Sequence, residues 1–143
     1  MCSLAPGGPN YDHCGTMRDM TRVLLRLYLT PDCPLGPGKV ALLESIRDGG
    51  SISEAARRMK MSYRSAWLLV DSMNSMFRNP VIRSTLGGRG GGSATLTEFG
   101  AEVIHHYRGM ERATRRAIAR DLASLERRLR SVPLRTRKRL RRP

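Results

Sequence analysis

Between Pro37 and Gly100 the chain is cut by turn signals at unequal intervals, and the segment lengths they leave constrain the fold more than any other feature. A helix is predicted to start just after Pro37, where Val40, Leu43, Ile46 and Arg47 follow helical spacing and Ala41 and Leu42 widen the apolar stripe. Gly49-Gly50 ends it. Ser51 or Ser53 can cap a second, short helix over Glu54–Lys60, with Ile52 and Met59 as core plugs and Ala55 and Ala56 small enough for a close helix crossing. Met61 opens a turn, and Ser62 is a good N-cap for a third helix reaching about Phe77. Its stripe is Ala66, Leu69, Val70, Met73 and Phe77. Asn79-Pro80 stops that helix, because a residue before proline is pushed out of helical geometry. Val81–Leu86 and Ala94–Leu96 read as strands, joined through Gly87–Ser93 into a hairpin. Thr97 caps a last long helix. Helix, short helix, tight turn, longer helix and hairpin in that order predict a mainly α winged helix-turn-helix.

Two flanking elements extend this frame. Residues 22–29 alternate Val23, Leu25, Leu27 and Leu29 against Arg22, Leu24, Arg26 and Tyr28, which predicts a short N-terminal strand. In the last helix Ile118, Leu122, Leu125, Leu129 and Val132 fall at alternating spacings of four and three, an a/d seam that requires a partner. The expected organisation is a disordered arm over 1–20, a DNA-binding domain over 21–100, a dimerisation helix over 101–132 and a disordered basic tail over 133–143.

Charge says what the partner is. The formal net charge is +14, which calls for a polyanion. Residues 1–37 are neutral overall, 38–100 carry +4 and 101–143 carry +10, so the excess lies at the end of the chain. The tail residues Arg135, Arg137, Lys138, Arg139, Arg141 and Arg142 have no acidic neighbour and are expected to add non-specific phosphate contacts. The arginines of residues 108–130 read as the solvated outer face of a coiled-coil helix. No apolar run approaches the ~18 residues of a spanning helix, so no membrane role is expected.

In a winged helix-turn-helix the first residues of the third helix enter the major groove of double-stranded DNA. The candidate DNA-contacting residues are Ser51 and Ser53, then Ser62, Tyr63, Arg64, Ser65 and Trp67, and in the wing loop Arg89, Gly90 and Gly91. Ser62 and Tyr63 can donate to phosphates. Arg64 suits either guanine O6 and N7 or a phosphate. Trp67 has two readings, packed into the core or wing base, or presenting its tip near the DNA backbone. Glycines around Arg89 let the backbone approach DNA, with Arg89 reaching the minor groove or a phosphate.

Other chemistry fits poorly. The glycine loop lacks the Lys-Ser/Thr pair of a P-loop and is not followed by a helix. Cys2, Cys14 and Cys33 with His13 match no zinc spacing and suggest unpaired thiols in a reducing cytoplasm. His105 and His106 are adjacent, about 100° apart on a helix, and cannot easily bind one ion from one chain. Carboxylates are few and no nucleophile–base arrangement is evident, so neither an enzyme nor a cofactor is expected. The competing readings are a charge-driven nucleoid-like or RNA-binding protein and a protein-binding adaptor.

The stretch Gly38–Gly100 resembles the DNA-binding domain of ModE-type, molybdate-responsive regulators, themselves similar to LysR-type domains. The resemblance rests on Gly50-Ser51-Ile52-Ser53, Ala55-Ala56, Ser62-Tyr63-Arg64-Ser65-Ala66-Trp67, Met73-Asn74, Gly87-Gly88-Arg89-Gly90-Gly91-Gly92 and Leu96-Thr97 with Gly100. It extends more loosely over about 22–130 and implies a homodimer built with the preceding strand and the last helix. ModE-type proteins continue into β-barrel domains that bind molybdate, whereas this sequence runs from the last helix into a basic tail. The expectation is therefore a DNA reader without the molybdate domain and without a small-molecule effector.

Overall fold

The computed structural model describes residues 21–85, 87 and 92–129. The expectations for residues 1–20, for Arg89, Gly90 and Gly91, for Val132 and for the tail over 133–143 lie outside the described residues. The elements follow in the order α1 (Pro37–Gly49), α2 (Ile52–Arg58), α3 (Tyr63–Met76), β1 (Ile82–Thr85), β2 (Ser93–Leu96) and α4 (Glu98–Glu126).

Local chemistry sets each boundary. Pro37 occupies the first turn of α1 itself, where its missing N–H would have had no partner. Gly50 closes α1 at a φ of 70°, a left-handed geometry that glycine adopts without steric cost, and its N–H bonds the Ile46 carbonyl at 2.8 Å. Ser51, rather than Ser53, caps α2: its Oγ accepts from the Glu54 N–H at 3.0 Å. The helix therefore begins at Ile52, ahead of the expected Glu54, and ends at Arg58 instead of Lys60. Lys60 takes a left-handed φ of 55° in the turn that follows. Ser62 caps α3 by accepting from the Ser65 N–H at 3.1 Å, and Thr97 caps α4 by accepting from the Gly100 N–H at 2.9 Å.

The core gathers one face of every helix. Val40, Leu42, Leu43 and Ile46 of α1 meet Ile52, Ala55 and Ala56 of α2, Ala66, Val70 and Met73 of α3, and Val103, Ile104 and Tyr107 of α4. Leu69, Phe77 and Met59 pack at its margin. Burial of these apolar surfaces is the main stabilising term.

β1 and β2 pair antiparallel in the register Ile82↔Leu96, Arg83↔Thr95, Ser84↔Ala94 and Thr85↔Ser93. Three contacts fix this hairpin to the helices. The Ala94 N–H bonds the Gly50 carbonyl at 2.9 Å, tying β2 to the end of α1. Asn74 on α3 accepts from the N–H groups of Val81 (2.9 Å) and Ile82 (3.1 Å) through Oδ1, and donates through Nδ2 to the Ile82 carbonyl at 3.0 Å. Thr97 donates its hydroxyl to the Pro80 carbonyl at 2.7 Å. Gly100 lies so close to this turn that a Cβ there would run into the Val81 carbonyl oxygen and within 2.6 Å of Leu96 Cδ1.

The N-terminal segment departs from expectation. Val23, Leu25 and Leu27 do face inward and Leu24 and Tyr28 outward, as alternation requires. The strand, however, is a single bridge, Leu27↔Leu35, with both hydrogen bonds at 2.8 Å, and no described strand pairs with residues 22–26. Leu29 joins the following turn and is exposed. Tyr107 holds this segment to α4 by donating its hydroxyl to the Leu25 carbonyl at 2.6 Å. One residue on, Arg108 binds both oxygens of Glu44 (2.9 and 2.7 Å) and also Glu111 at 2.7 Å.

Asn74→Ala strands two N–H groups and a carbonyl at the wing base, and should lower the free energy of unfolding in urea by about 2–3 kcal/mol. Tyr107 gives a pH-dependent check on the same packing. Burial first, then the charge of Glu111, pushes the Tyr107 pKa up to about 12, against ~10 in an unfolded chain. The folded state thus keeps this proton longer. Its contribution to stability is full below pH ~10 and declines as the pH rises towards the folded value. Urea titrations across that window should show a loss in the parent that is absent in Tyr107→Phe.

Candidate nucleic-acid interface

Three of the residues expected to meet DNA, Ser53, Tyr63 and Trp67, come together on one side of the molecule. Ile52 and Ser53 of α2, Tyr63 and Trp67 of α3, and Ser84, Thr85, Gly87, Gly92, Ser93 and Ala94 of the hairpin line a single groove of about 370 Å³. Its floor is apolar, from Ile52 and Ala94, and its rim is hydroxyl-rich. Thr85 Oγ1 and Ser93 Oγ lie 2.7 Å apart across the strands. A Cβ on Gly92 would sit 2.6 Å from the Thr85 carbonyl, so the hairpin narrows there only because that residue is glycine.

Helical geometry explains which α3 side chains reach the groove. Ala66, Val70 and Met73 define the buried line of the helix. Tyr63 and Trp67, one turn apart, stand on the flank that faces the wing. Trp67 is 44% exposed and Tyr63 54% exposed, so neither is a core residue. Trp67 instead forms a groove wall, a placement between the two readings its sequence context allowed. Arg64, Leu68 and Asp71 lie further round on the outward face, all exposed. Arg64 makes no salt bridge to any described carboxylate.

The serines divide by role. Ser51 and Ser62 use lone pairs to cap α2 and α3, leaving their hydroxyl protons to be directed elsewhere. Ser62 and Ser65 share a hydroxyl–hydroxyl hydrogen bond of 2.8 Å, so one of them donates to the other and only one proton remains free outward. Ser53 is exposed on the groove lip with no described hydrogen bond. Glu54 is held by Arg57 (3.0 Å) and Arg58 (3.1 Å), which withdraws its charge from an anionic partner.

Sequence reasoning missed two parts of this site. Asn74 was visible only within the family resemblance. Its function as the hinge pin between α3 and the wing needs the fold, because its partners are seven and eight residues away around a turn. Nothing in the sequence pattern marks Ser84 and Thr85 on β1 as groove residues, although the strand's burial pattern leaves all but Ile82 exposed. Cys33 contacts Lys39 at 2.7 Å, well apart in sequence from the groove residues. Among the described residues no group of three His, Cys, Asp or Glu side chains could hold a metal ion. No described helix is long and apolar enough to cross a membrane.

Among characterised proteins the chain is similar to several regulators. It is 38% identical over 93 residues to the molybdenum transport protein ModE of Azotobacter vinelandii, covering 64% of this chain and 34% of that protein. It is 34% identical over 97 residues to the transcriptional regulator ModE of Haemophilus influenzae, covering 68% and 38%. It is 36% identical over 85 residues to the DNA-binding transcriptional dual regulator ModE of Escherichia coli K12, covering 59% and 32%. No family model matches the chain. The chain spans about a third of the length of the curated relatives it matches. Over that segment the chain is similar in sequence to the ModE-type regulators.

Proposed function

We propose that this protein is a sequence-specific, DNA-binding transcription regulator that acts as a homodimer. The observation that carries the reading is the groove in which Tyr63 and Trp67 of α3 face the polar strands of a glycine-closed wing, with Arg64 exposed beside them. The relatives named as DNA-binding and transcriptional regulators support the regulatory role.

In this reading the N-terminal half of α3 enters the major groove. Arg64 reads a guanine edge or clamps a phosphate, and the hydroxyls of Ser53, Ser62 and Tyr63 orient the helix on the backbone. The wing lies on the flanking DNA, where Arg89 would enter the minor groove or bind a phosphate and Gly90 and Gly91 would permit close approach. Two copies associate through the seam of α4, so that two α3 helices address successive major grooves. That seam supports the dimer: Leu125 on α4 is 65% exposed, and Leu129, just past the helix end at Glu126 and so outside the helix expected to reach residue 132, is 70% exposed.

Preferred sites can be selected from a random-sequence duplex pool with the parent chain. On such a site Arg64→Ala and Arg89→Ala should each weaken binding by about 1–3 kcal/mol, with unfolding midpoints unchanged. Parental affinity in both variants would place the reading surface elsewhere. Sedimentation tests the association separately. Leu122→Glu with Leu125→Glu should convert a dimer into a folded monomer, and a dimer that survives both changes would rule out the α4 seam.

A further inference from the structure

The second half of α4 leaves the core after Tyr107 and Arg108, and carries two unlike faces. Ile118, Leu122 and Leu125 form the seam, and Leu129 follows just past the helix end. On the opposite side, Arg112, Arg116 and Arg120 recur every fourth residue, and Arg127 continues the line, all within an arc of about 80°. Past Arg108 the arc also holds Gly109 and Ala123, Ala119 borders it, and no acidic side chain of this half of the helix falls within it. All four arginines are exposed, and none makes a salt bridge to a described carboxylate.

A face that merely keeps a helix solvated mixes the two signs, because opposite charges four residues apart stabilise a helix and like charges there destabilise it. This face does the reverse, setting like charges at the repelling spacing along three turns. The cations of α4 are moreover all arginine, without a lysine. The planar guanidinium forks onto phosphate with two parallel hydrogen bonds, where an ammonium offers a point charge. The interleaved alanines keep the ridge low enough for a sugar–phosphate backbone to lie along it.

We propose that the arginine ridge of α4 is a second DNA-backbone-binding surface, separate from the α3–wing groove. It stays outward whichever molecule covers the seam, since it lies on the opposite side of the helix. It reads no sequence. It adds phosphate contacts, either on the flanks of the duplex held by α3 or on another DNA segment brought alongside. The proposal does not depend on sequence-specific reading by α3, because its test uses DNA of mixed sequence.

The test is the salt dependence of binding by the full chain to a mixed-sequence duplex several helical turns long. Removing one phosphate-neutralising side chain lowers the slope of log K against log salt by ~0.9, so Arg116→Gln with Arg120→Gln should lower it by ~1.8 per protomer. Arg116→Lys with Arg120→Lys should recover most of the slope. Arg22→Gln with Arg26→Gln removes equal charge elsewhere and should leave the slope near the parent's. Helix content by circular dichroism checks folding. Should the first pair perturb the helix, Arg112→Gln with Arg127→Gln predicts the same loss from the ends of the ridge. A parental slope in both ridge pairs, or an equal fall in the Arg22/Arg26 control, would overturn the proposal. So would a fall seen only with single-stranded RNA, which would assign the ridge to RNA. Capture of a second labelled duplex by the parent, and its absence in the ridge variant, marks a separate DNA segment. The slope change without capture marks the flanks of the same duplex, and both results uphold DNA-backbone binding.

Discussion

The Asn74 side chain is the constraint on which the geometry of the groove depends. It sits late on α3 and uses both ends of its amide to hold the first residues of the wing. A two-stranded hairpin alone is marginal in water. This one acquires a fixed angle to α3 because its base is bonded to that helix from one side and to Thr97 from the other. The Phe77 and Phe99 rings, edge to face at 5.2 Å, close the space beneath. Gly100 lets the start of α4 approach where any side chain would force the turn outward. Tyr63 and Trp67 therefore face Ser84, Thr85 and Ser93 across a set distance.

α4 belongs only in part to this winged unit. Its first half belongs to the core, through Val103, Ile104 and Tyr107, and is locked by the bidentate pair of Arg108 with Glu44. Those carboxylates hold the Arg108 guanidinium above its ordinary pKa, so its charge persists at any working pH. Its second half makes no such ties to the other described residues, and shows an apolar seam on one side and an arginine ridge on the other. Such a helix carries the orientation of the winged domain outward rigidly, at about 1.5 Å per residue.

Much of this is legible in the sequence because it is written in short-range chemistry. Ser62, Thr97 and Gly50 sit where caps and left-handed turns demand them, and the stripe from Ala66 to Phe77 is the buried line of α3. The start of α2 is misplaced by sequence because two serines can cap it, although only Ser51 has a glutamate three residues on, at capping-box spacing, and Ser51 is the cap observed. The N-terminal strand is over-read for a different reason. Alternation records which side chains face the core, whereas a ladder needs a pairing strand, and the described chain offers residues 22–26 none. The groove itself can be anticipated only in its α3 half. The wing's share depends on a clasp between residues whose approach no local pattern announces.

The central claim is that the α3–wing groove is the surface that meets DNA, and hydroxyl-radical footprinting of the aromatic side chains tests it without any substitution. Tyr63, Trp67 and Tyr28 are all exposed, Tyr28 at 64%, so all three oxidise readily in the free protein. Saturating duplex DNA should protect Tyr63 and Trp67 together and leave the rate at Tyr28 unchanged. Equal oxidation of Tyr63 and Trp67 with and without DNA would contradict the assignment of the groove.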